Sequence, residues 1–185
     1  MASPETAGRP PHGIDVKLVD ETGKEVPRGD VGEVWCRGPC QMSGYYRDPE
    51  ATAEITRPGG WIAIGDLAYL DEDDQIHIVG RLKEMIIRSG FNVYPAEVEG
   101  VLNSHPSVLQ SAVVGRPVPG NEEVIAFVQA MPGHEIDVDA IASHASDGLA
   151  PYKRPARIVP LDALPVGPTG KLSKITLREM AETLD

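Results

Sequence analysis

The sequence is poor in cysteine and has no long apolar run. Cys36 and Cys40 are the only cysteines, and no second Cys or His pair completes a zinc site, so we predict no metal site. No apolar stretch approaches the roughly 18 residues that span a membrane, so we expect no transmembrane segment. Met1–Glu5 lacks the basic and apolar regions of a secretory signal. We therefore expect a cytoplasmic protein with free thiols.

Positive charge and hydrolase motifs are also scarce. There are 17 Lys and Arg residues against 28 Asp and Glu, and the net charge of -11 argues against nucleic acid as a partner. The five histidines form no metalloprotease pattern, and no Gly-x-Ser-x-Gly elbow is present. The composition thus leaves a globular protein with no support for nucleophilic hydrolysis.

The first part of the chain predicts an antiparallel β unit over residues 13–80. Alternating apolar residues predict strands at 14–19 and 31–37, and Gln75–Val79 is expected to pair back across the acidic turn Asp71–Asp74. Asp48 before Pro49 predicts the start of a short helix. Trp61–Ile64 is expected to be extended, with Gly65 and Asp66 following at the end of the strand.

The second part predicts a compact α+β domain over residues 81–185. Strands are expected at 85–88, 109–114, 124–131 and 157–160, and helices at 95–105, 138–146 and 173–183. Ser173 is a natural N-cap for the last helix. Pro165–Gly170 is expected to be a loop. This alternation of strands and helices is typical of α+β domains.

Three segments contain residues with chemical potential, and each permits an ordinary structural explanation. Gly60–Asp66 ends in a carboxylate that either belongs to a common turn or accepts hydrogen bonds from a diol such as a ribose. Gly80–Glu99 combines an Arg, a Lys and a glycine turn, and it is either a linker with a hairpin or a site at a domain junction. Leu164–Lys174 is a Gly/Pro loop that ends in Lys171, which is either a surface lysine or a ligand of anionic oxygens. It is not a phosphate-binding loop, because Pro165 and Leu172 occupy positions that need glycine and Ser or Thr.

Taken together and in this order, the segments resemble the adenylate-forming superfamily, which contains acyl-CoA synthetases, luciferases and adenylation domains of peptide synthetases. The resemblance runs from about Gly8 to Arg178. It includes Gly32–Pro39, Gly44–Tyr46, Pro49–Ala53, Gly60–Asp66, Gly80–Glu97, Pro151–Lys153 and Pro165–Lys171. It implies an α+β fold, with residues 1–80 forming the last small antiparallel β-barrel-like subdomain of a large AMP-binding domain and residues 81–185 forming the mobile C-terminal domain.

The resemblance also implies a reaction and roles for particular residues. A carboxylate attacks Mg-ATP to give an acyl-adenylate and pyrophosphate, and a thiol, usually coenzyme A, then displaces AMP. Asp66 is expected to hold the ribose hydroxyls with help from Arg81, and Lys83 to be the hinge. Lys171 is expected to be the catalytic lysine that bridges the substrate carboxylate and the α-phosphate. Gly90 is expected beside the route of the thiol.

Departures and absences qualify what the resemblance implies. Ile64 replaces the usual Thr, and Ser89-Gly90 replaces paired glycines. The phosphate loop, the magnesium ligands and the acyl pocket lie upstream in the family, so we expect this chain alone to be incomplete or inactive. Phe91–Pro95 is most similar to fatty acyl-CoA synthetases. Alternatives are a peptide-synthetase adenylation domain and a non-catalytic accessory module. The spacing from Pro165 to Lys171 also resembles a lysine-acetylation pattern, and acetylation would remove the charge of Lys171.

Overall fold

The computed structural model of the chain describes residues 6–184. Met1–Glu5, where we expect no secretory signal, lies outside the described residues. The chain divides into two compact units, of which the first ends at Lys83 and the second begins at Glu84. Within the described range, no helix is both long enough and apolar enough to cross a membrane.

The first unit is a curled antiparallel sheet of five strands with one short helix. Its elements are β1 (Asp15–Val19), β2 (Gly32–Arg37), α1 (Pro49–Ile55), β3 (Thr56–Arg57), β4 (Trp61–Leu70) and β5 (Ile76–Arg81). The strand order is β1-β2-β4-β3, and β5 also pairs with β4. As predicted, Asp48 caps α1, because its carboxylate accepts a hydrogen bond from the backbone N–H of Ala51 at 2.9 Å.

The core of the first unit is small. Leu18, Val34 and Ala68 form one buried cluster between the strands. The two tryptophans, Trp35 and Trp61, lie together in a second cluster, and the Lys17 ammonium lies within 4.9 Å and 4.7 Å of their respective ring centroids. Both indoles therefore report on the folding of this unit.

The second unit is built on a three-stranded sheet with the order β10-β9-β8. Its elements are β6 (Ile86–Arg88), β7 (Phe91–Val93), α2 (Pro95–Asn103), β8 (Val108–Val118), β9 (Asn121–Ala130), α3 (Val138–Gly148), β10 (Arg157–Leu161) and α4 (Lys174–Glu182). Strands β8 and β9 are antiparallel, whereas β10 is parallel to β9, and β6 and β7 form a separate hairpin. A single 3₁₀ turn occurs at Pro151–Lys153 in this unit, and another, Leu82–Glu84, begins in the first unit and ends at the first residue of the second.

Helices cover both faces of this sheet, which explains why its central strands are apolar without alternation. Val113 packs in the cluster formed with α2 and α3, whereas its neighbours Ala112 and Val114 pack in the cluster formed with α4. Successive side chains of a strand point to opposite faces, so both faces need apolar residues here. The architecture confirms the predicted α+β fold, a small antiparallel β subdomain followed by a compact α+β domain.

One strand prediction was wrong in a way that matters for the site. Strand β4 does not end near Ile64 but continues to Leu70, so Gly65 and Asp66 lie in its middle. A glycine with positive φ is normally a sign of a turn, but here the neighbouring strands hold both sides of β4 and carry the chain through. The helix predicted at 95–105 ends earlier, at Asn103, and β3 and β7 were not predicted.

Candidate functional site

Asp66 and Arg81 face each other across two neighbouring strands. They are register partners in β4 and β5, and the Arg81 Nε lies 2.7 Å from the Asp66 Oδ1 in an ion pair. The Asp66 side chain is 24% exposed and the Arg81 side chain 54% exposed. The pair is thus formed in the protein itself, and both side chains remain partly exposed.

A bulge in β4 sets the direction of Asp66. Between the pairs Trp35↔Ala63 and Glu33↔Leu67, β2 advances by two residues and β4 by four. Gly65 lies inside this bulge with φ of +74°, a conformation that other L-residues adopt at a cost. Bulges re-aim side chains, and this one releases Asp66 from pairing with β2.

Lys83 is the last residue of the first unit, and its side chain is exposed. It lies in the 3₁₀ turn Leu82–Glu84, directly after the strand that carries Arg81. The β4–β5 pairing ends at Arg81, so the backbone of Lys83 is not held by strand hydrogen bonds. Asp66, Arg81 and Lys83 all belong to the first unit.

Gly90 belongs to the second unit and forms the tip of the β6–β7 hairpin with Ser89. Both residues have positive φ, +53° for Ser89 and +80° for Gly90, as a two-residue type I′ turn requires. The backbone N–H of Ser89 donates to the Asn121 Oδ1 at 2.7 Å, which offsets the strain of a serine in this conformation. The hairpin therefore presents an exposed glycine on a fixed turn.

Lys171 lies at the end of a small hydrogen-bonded hairpin rather than in an irregular loop. The Gly167 N–H donates to the Lys171 carbonyl at 2.7 Å, the Gly170 N–H donates to the Gly167 carbonyl at 2.9 Å, and Val166 and Leu172 form a bridge. The Ser173 N–H donates to the Pro165 carbonyl and closes the loop at 2.8 Å. The Lys171 side chain is exposed, and within residues 6–184 no carboxylate pairs with its ammonium.

A second lysine close to Lys171 was missed in the sequence. Lys174 is the first residue of α4, and its ammonium lies 3.0 Å from the Glu84 Oε2 and 3.0 Å from the Glu99 Oε1. All three side chains are mostly buried, with exposures of 19%, 25% and 19% for Lys174, Glu84 and Glu99. One signal was available, because a lysine at a helix N-terminus opposes the helix dipole and calls for a compensating charge.

Neither a disulfide nor a metal centre is found among the residues that the structure describes. Cys36 and Cys40 are both unpaired. Burial raises the pKa of the Cys36 thiol, which keeps it protonated at neutral pH. Among residues 6–184, no group of three or more His, Cys, Asp or Glu side chains is arranged to hold a metal ion.

Known proteins match this chain along both units. The family described as AMP-binding enzyme matches residues 1–46, and the family described as AMP-binding enzyme C-terminal domain matches residues 97–171. The rice protein 4-coumarate–CoA ligase-like 6 (Oryza sativa subsp. japonica) is 39% identical over 99% of this chain and 32% of its own length. The fatty acid–[acyl-carrier-protein] ligase ScoC of Streptomyces coeruleorubidus is 42% identical over 95% of this chain and 34% of its own length.

A solved structure shows the same fold. The ATP-bound MatB structure from Rhodopseudomonas palustris is 38% identical and superimposes with a TM-score of 0.91, covering 97% of this chain and 36% of that chain. The chain therefore spans about a third of the length of the proteins it matches.

Proposed function

Because this chain belongs to the adenylate-forming, AMP-binding superfamily, we propose that it is the C-terminal part of an ATP-dependent acid–thiol ligase of the acyl-CoA synthetase type. The reaction joins a carboxylate to the α-phosphate of ATP with release of pyrophosphate, and a thiol then displaces AMP. We assign residues 1–80 to the last subdomain of a large AMP-binding domain and residues 81–185 to the mobile C-terminal domain.

The observation that carries this proposal is the exposed Lys171 ammonium on its hydrogen-bonded hairpin. Adenylation brings two anions together, the substrate carboxylate and the α-phosphate, and a positioned ammonium offsets their repulsion as charge develops. A lysine already paired with a carboxylate of its own domain would have to break that pair first. Among residues 6–184 Lys171 has no such partner, and its hairpin holds the backbone from which the side chain extends.

In the first unit, Asp66 and Arg81 are proposed to hold the ribose of the nucleotide. A carboxylate accepts hydrogen bonds from both hydroxyls of a vicinal diol, and the ion pair with the Arg81 guanidinium orients that carboxylate. Ile64, where the family resemblance predicts Thr, has no side-chain hydroxyl to offer the nucleotide. Lys83 is proposed as the hinge and Gly90 as a residue beside the thiol route.

ATP is expected to bind with Mg²⁺. The described residues contain no cluster of carboxylates or histidines suited to a cation. From the family resemblance, we propose that the magnesium ligands lie in an upstream part.

The acid and the thiol are the finer part of the proposal. We propose a fatty acid as substrate, from the likeness of Phe91–Pro95 to fatty acyl-CoA synthetases, and coenzyme A as the thiol. The matched relatives are named for both aryl and fatty acids and for both coenzyme A and an acyl carrier protein. A carrier-protein thiol is thus the second candidate, supported by the 42% identity to a ligase named for one.

Lys171 is also the proposed site of regulation by acetylation. Its ammonium is exposed and within reach of a modifying enzyme, and acetylation would remove the charge on which adenylation depends. An acetyl-mimicking Lys171→Gln variant should therefore lose adenylation as fully as Lys171→Ala, and a variant that remained active would contradict this role.

The test uses ATP–pyrophosphate exchange on the chain alone and on a fusion to the upstream part of the rice relative. We expect no exchange from the chain alone and exchange from the fusion, with fatty and aryl acids compared. Lys171→Ala should abolish the exchange, whereas Lys24→Ala, at another exposed lysine, should not. Exchange by the chain alone, or a folded fusion that is silent beside an active parent, would contradict the proposal.

A further inference from the structure

Lys174 lies where three structural elements of the second unit meet. Its ammonium bridges Glu84, the first residue after the unit boundary, and Glu99 on α2, while its backbone begins α4. The same Glu99 Oε1 also accepts a hydrogen bond from the Val113 N–H on β8 at 2.8 Å. One lysine thus connects the start of the unit, a helix and the sheet.

The position is unfavourable for a lysine unless the two carboxylates are present. A cation at a helix N-terminus opposes the helix dipole, and an ammonium that is buried without a partner is strongly destabilising. Two carboxylates at 3.0 Å compensate the charge of the Lys174 ammonium. If either contact breaks, only one carboxylate is left to compensate this mostly buried charge. The arrangement therefore specifies one position of α4 relative to Glu84.

Helix α4 is held along its whole length, and the Lys171 hairpin is attached directly to its start. Leu177 and Ala181 are fully buried against the sheet. At the far end, the Arg116 guanidinium donates to the Leu184 carbonyl at 2.7 Å. At the near end, Ser173 caps the helix and also closes the hairpin through its N–H. Any displacement at Lys174 is therefore passed on to Lys171.

We propose that Lys174 is a positioning residue that couples the segment after the hinge to the Lys171 hairpin. It does not contact substrate. It fixes α4 to Glu84, so that a rotation about Lys83 carries Lys171 to a defined place. This inference depends on the proposed function for its consequence in catalysis, but the mechanical coupling itself belongs to the second unit alone.

The coupling is tested first by hydrogen exchange on the chain. Lys174→Met should raise exchange at least about tenfold at the N–H groups of Gly167, Gly170 and Ser173, and leave the central N–H groups of β9 unchanged. Lys174→Arg should restore protection. The matched control is Lys153→Met, because Lys153 is also 19% exposed and bonds a glutamate, Glu97, on α2. Unchanged exchange in Lys174→Met, or equal loosening of the hairpin by Lys153→Met, would overturn the coupling.

The catalytic consequence is measured in the fusion described above. Lys174→Met should slow ATP–pyrophosphate exchange about tenfold, while thioester formation from supplied acyl-adenylate stays near the parent rate. Glu84→Gln should slow ATP–pyrophosphate exchange by less than Lys174→Met does and leave thioester formation near the parent rate, because Glu99 still holds Lys174. Equal slowing of both half-reactions would mean general destabilisation and would overturn the positioning role. If the parent fusion shows neither half-reaction, the proposed function fails and the exchange experiment alone decides the coupling.

Discussion

Replacing Gly65 by Ala should destabilise the first unit by about 1 kcal/mol through backbone conformation alone. Gly65 has φ of +74°, and a Cβ added there would have no atom within 4 Å, so no clash contributes. The left-handed conformation costs about 1–2 kcal/mol for a residue with a Cβ. Alanine recovers about 0.4–1 kcal/mol by restricting the unfolded chain. The difference between the two leaves a net loss of about 1 kcal/mol.

Urea unfolding followed by tryptophan fluorescence measures this loss, because Trp35 and Trp61 both lie in the first unit. At a typical slope of about 2 kcal/mol per molar urea, the midpoint should fall by about 0.5 M. The urea midpoint of Gly65→Asn should fall by less than that of Gly65→Ala, since asparagine tolerates positive φ better than alanine. A Gly65→Ala variant as stable as the parent would show that the positive φ imposes no strain on alanine. A loss above about 3 kcal/mol would show that the added Cβ clashes with a neighbouring atom.

A control substitution at a second glycine, Gly29, distinguishes a loss of stability from a loss of nucleotide binding. Gly29 has φ of +88° and equally open surroundings, but it lies in a turn away from the β4 bulge. Gly29→Ala should cost a similar free energy of unfolding. Only Gly65→Ala should also weaken nucleotide binding by the fusion, by about fivefold for about 1 kcal/mol of lost Asp66 positioning. Equal nucleotide affinity in the two variants would show that the bulge does not position Asp66.

Three further outcomes follow from the same structure. Lys171→Ala should lower adenylation by about 10²–10³-fold while changing the free energy of unfolding by less than about 0.5 kcal/mol, since the side chain is exposed; a large loss of stability in urea would contradict this. Phe127→Ala should destabilise the second unit by about 3–5 kcal/mol, because the ring is fully buried, and far-UV circular dichroism in urea would reveal a smaller cost if the cavity collapses. The hydrogen bond from His77 lowers the pKa of Asp71 from 3.8, so the carboxylate stabilises the first unit above that pH, and this contribution is lost as the pH falls through the lowered pKa. Between pH 7 and pH 3 the urea midpoint should therefore fall less steeply in His77→Ala than in the parent. Parallel plots of midpoint against pH for the two proteins would argue against a stabilising Asp71–His77 hydrogen bond.

Local signals in the sequence determine much of the fold. The alternation at Asp15–Val19 and the caps Asp48 and Ser173 act through neighbouring residues only, so the sequence was enough to place these elements. The order of the motifs up to Lys171 likewise identified the superfamily. Roles for Lys83, Gly90 and Lys171 remain proposals, because they depend on ligands and movements that local patterns do not describe.

Tertiary structure decided what depends on partners far apart in the chain. Gly65 and Asp66 look like the end of a strand, but pairing with β2 and β5 turns them into a bulge and brings Arg81 to Asp66. Lys174 looks like a surface lysine until Glu84 and Glu99 meet it. Strand register and the convergence of buried charges are set by packing of the whole unit, which no window of neighbouring residues contains.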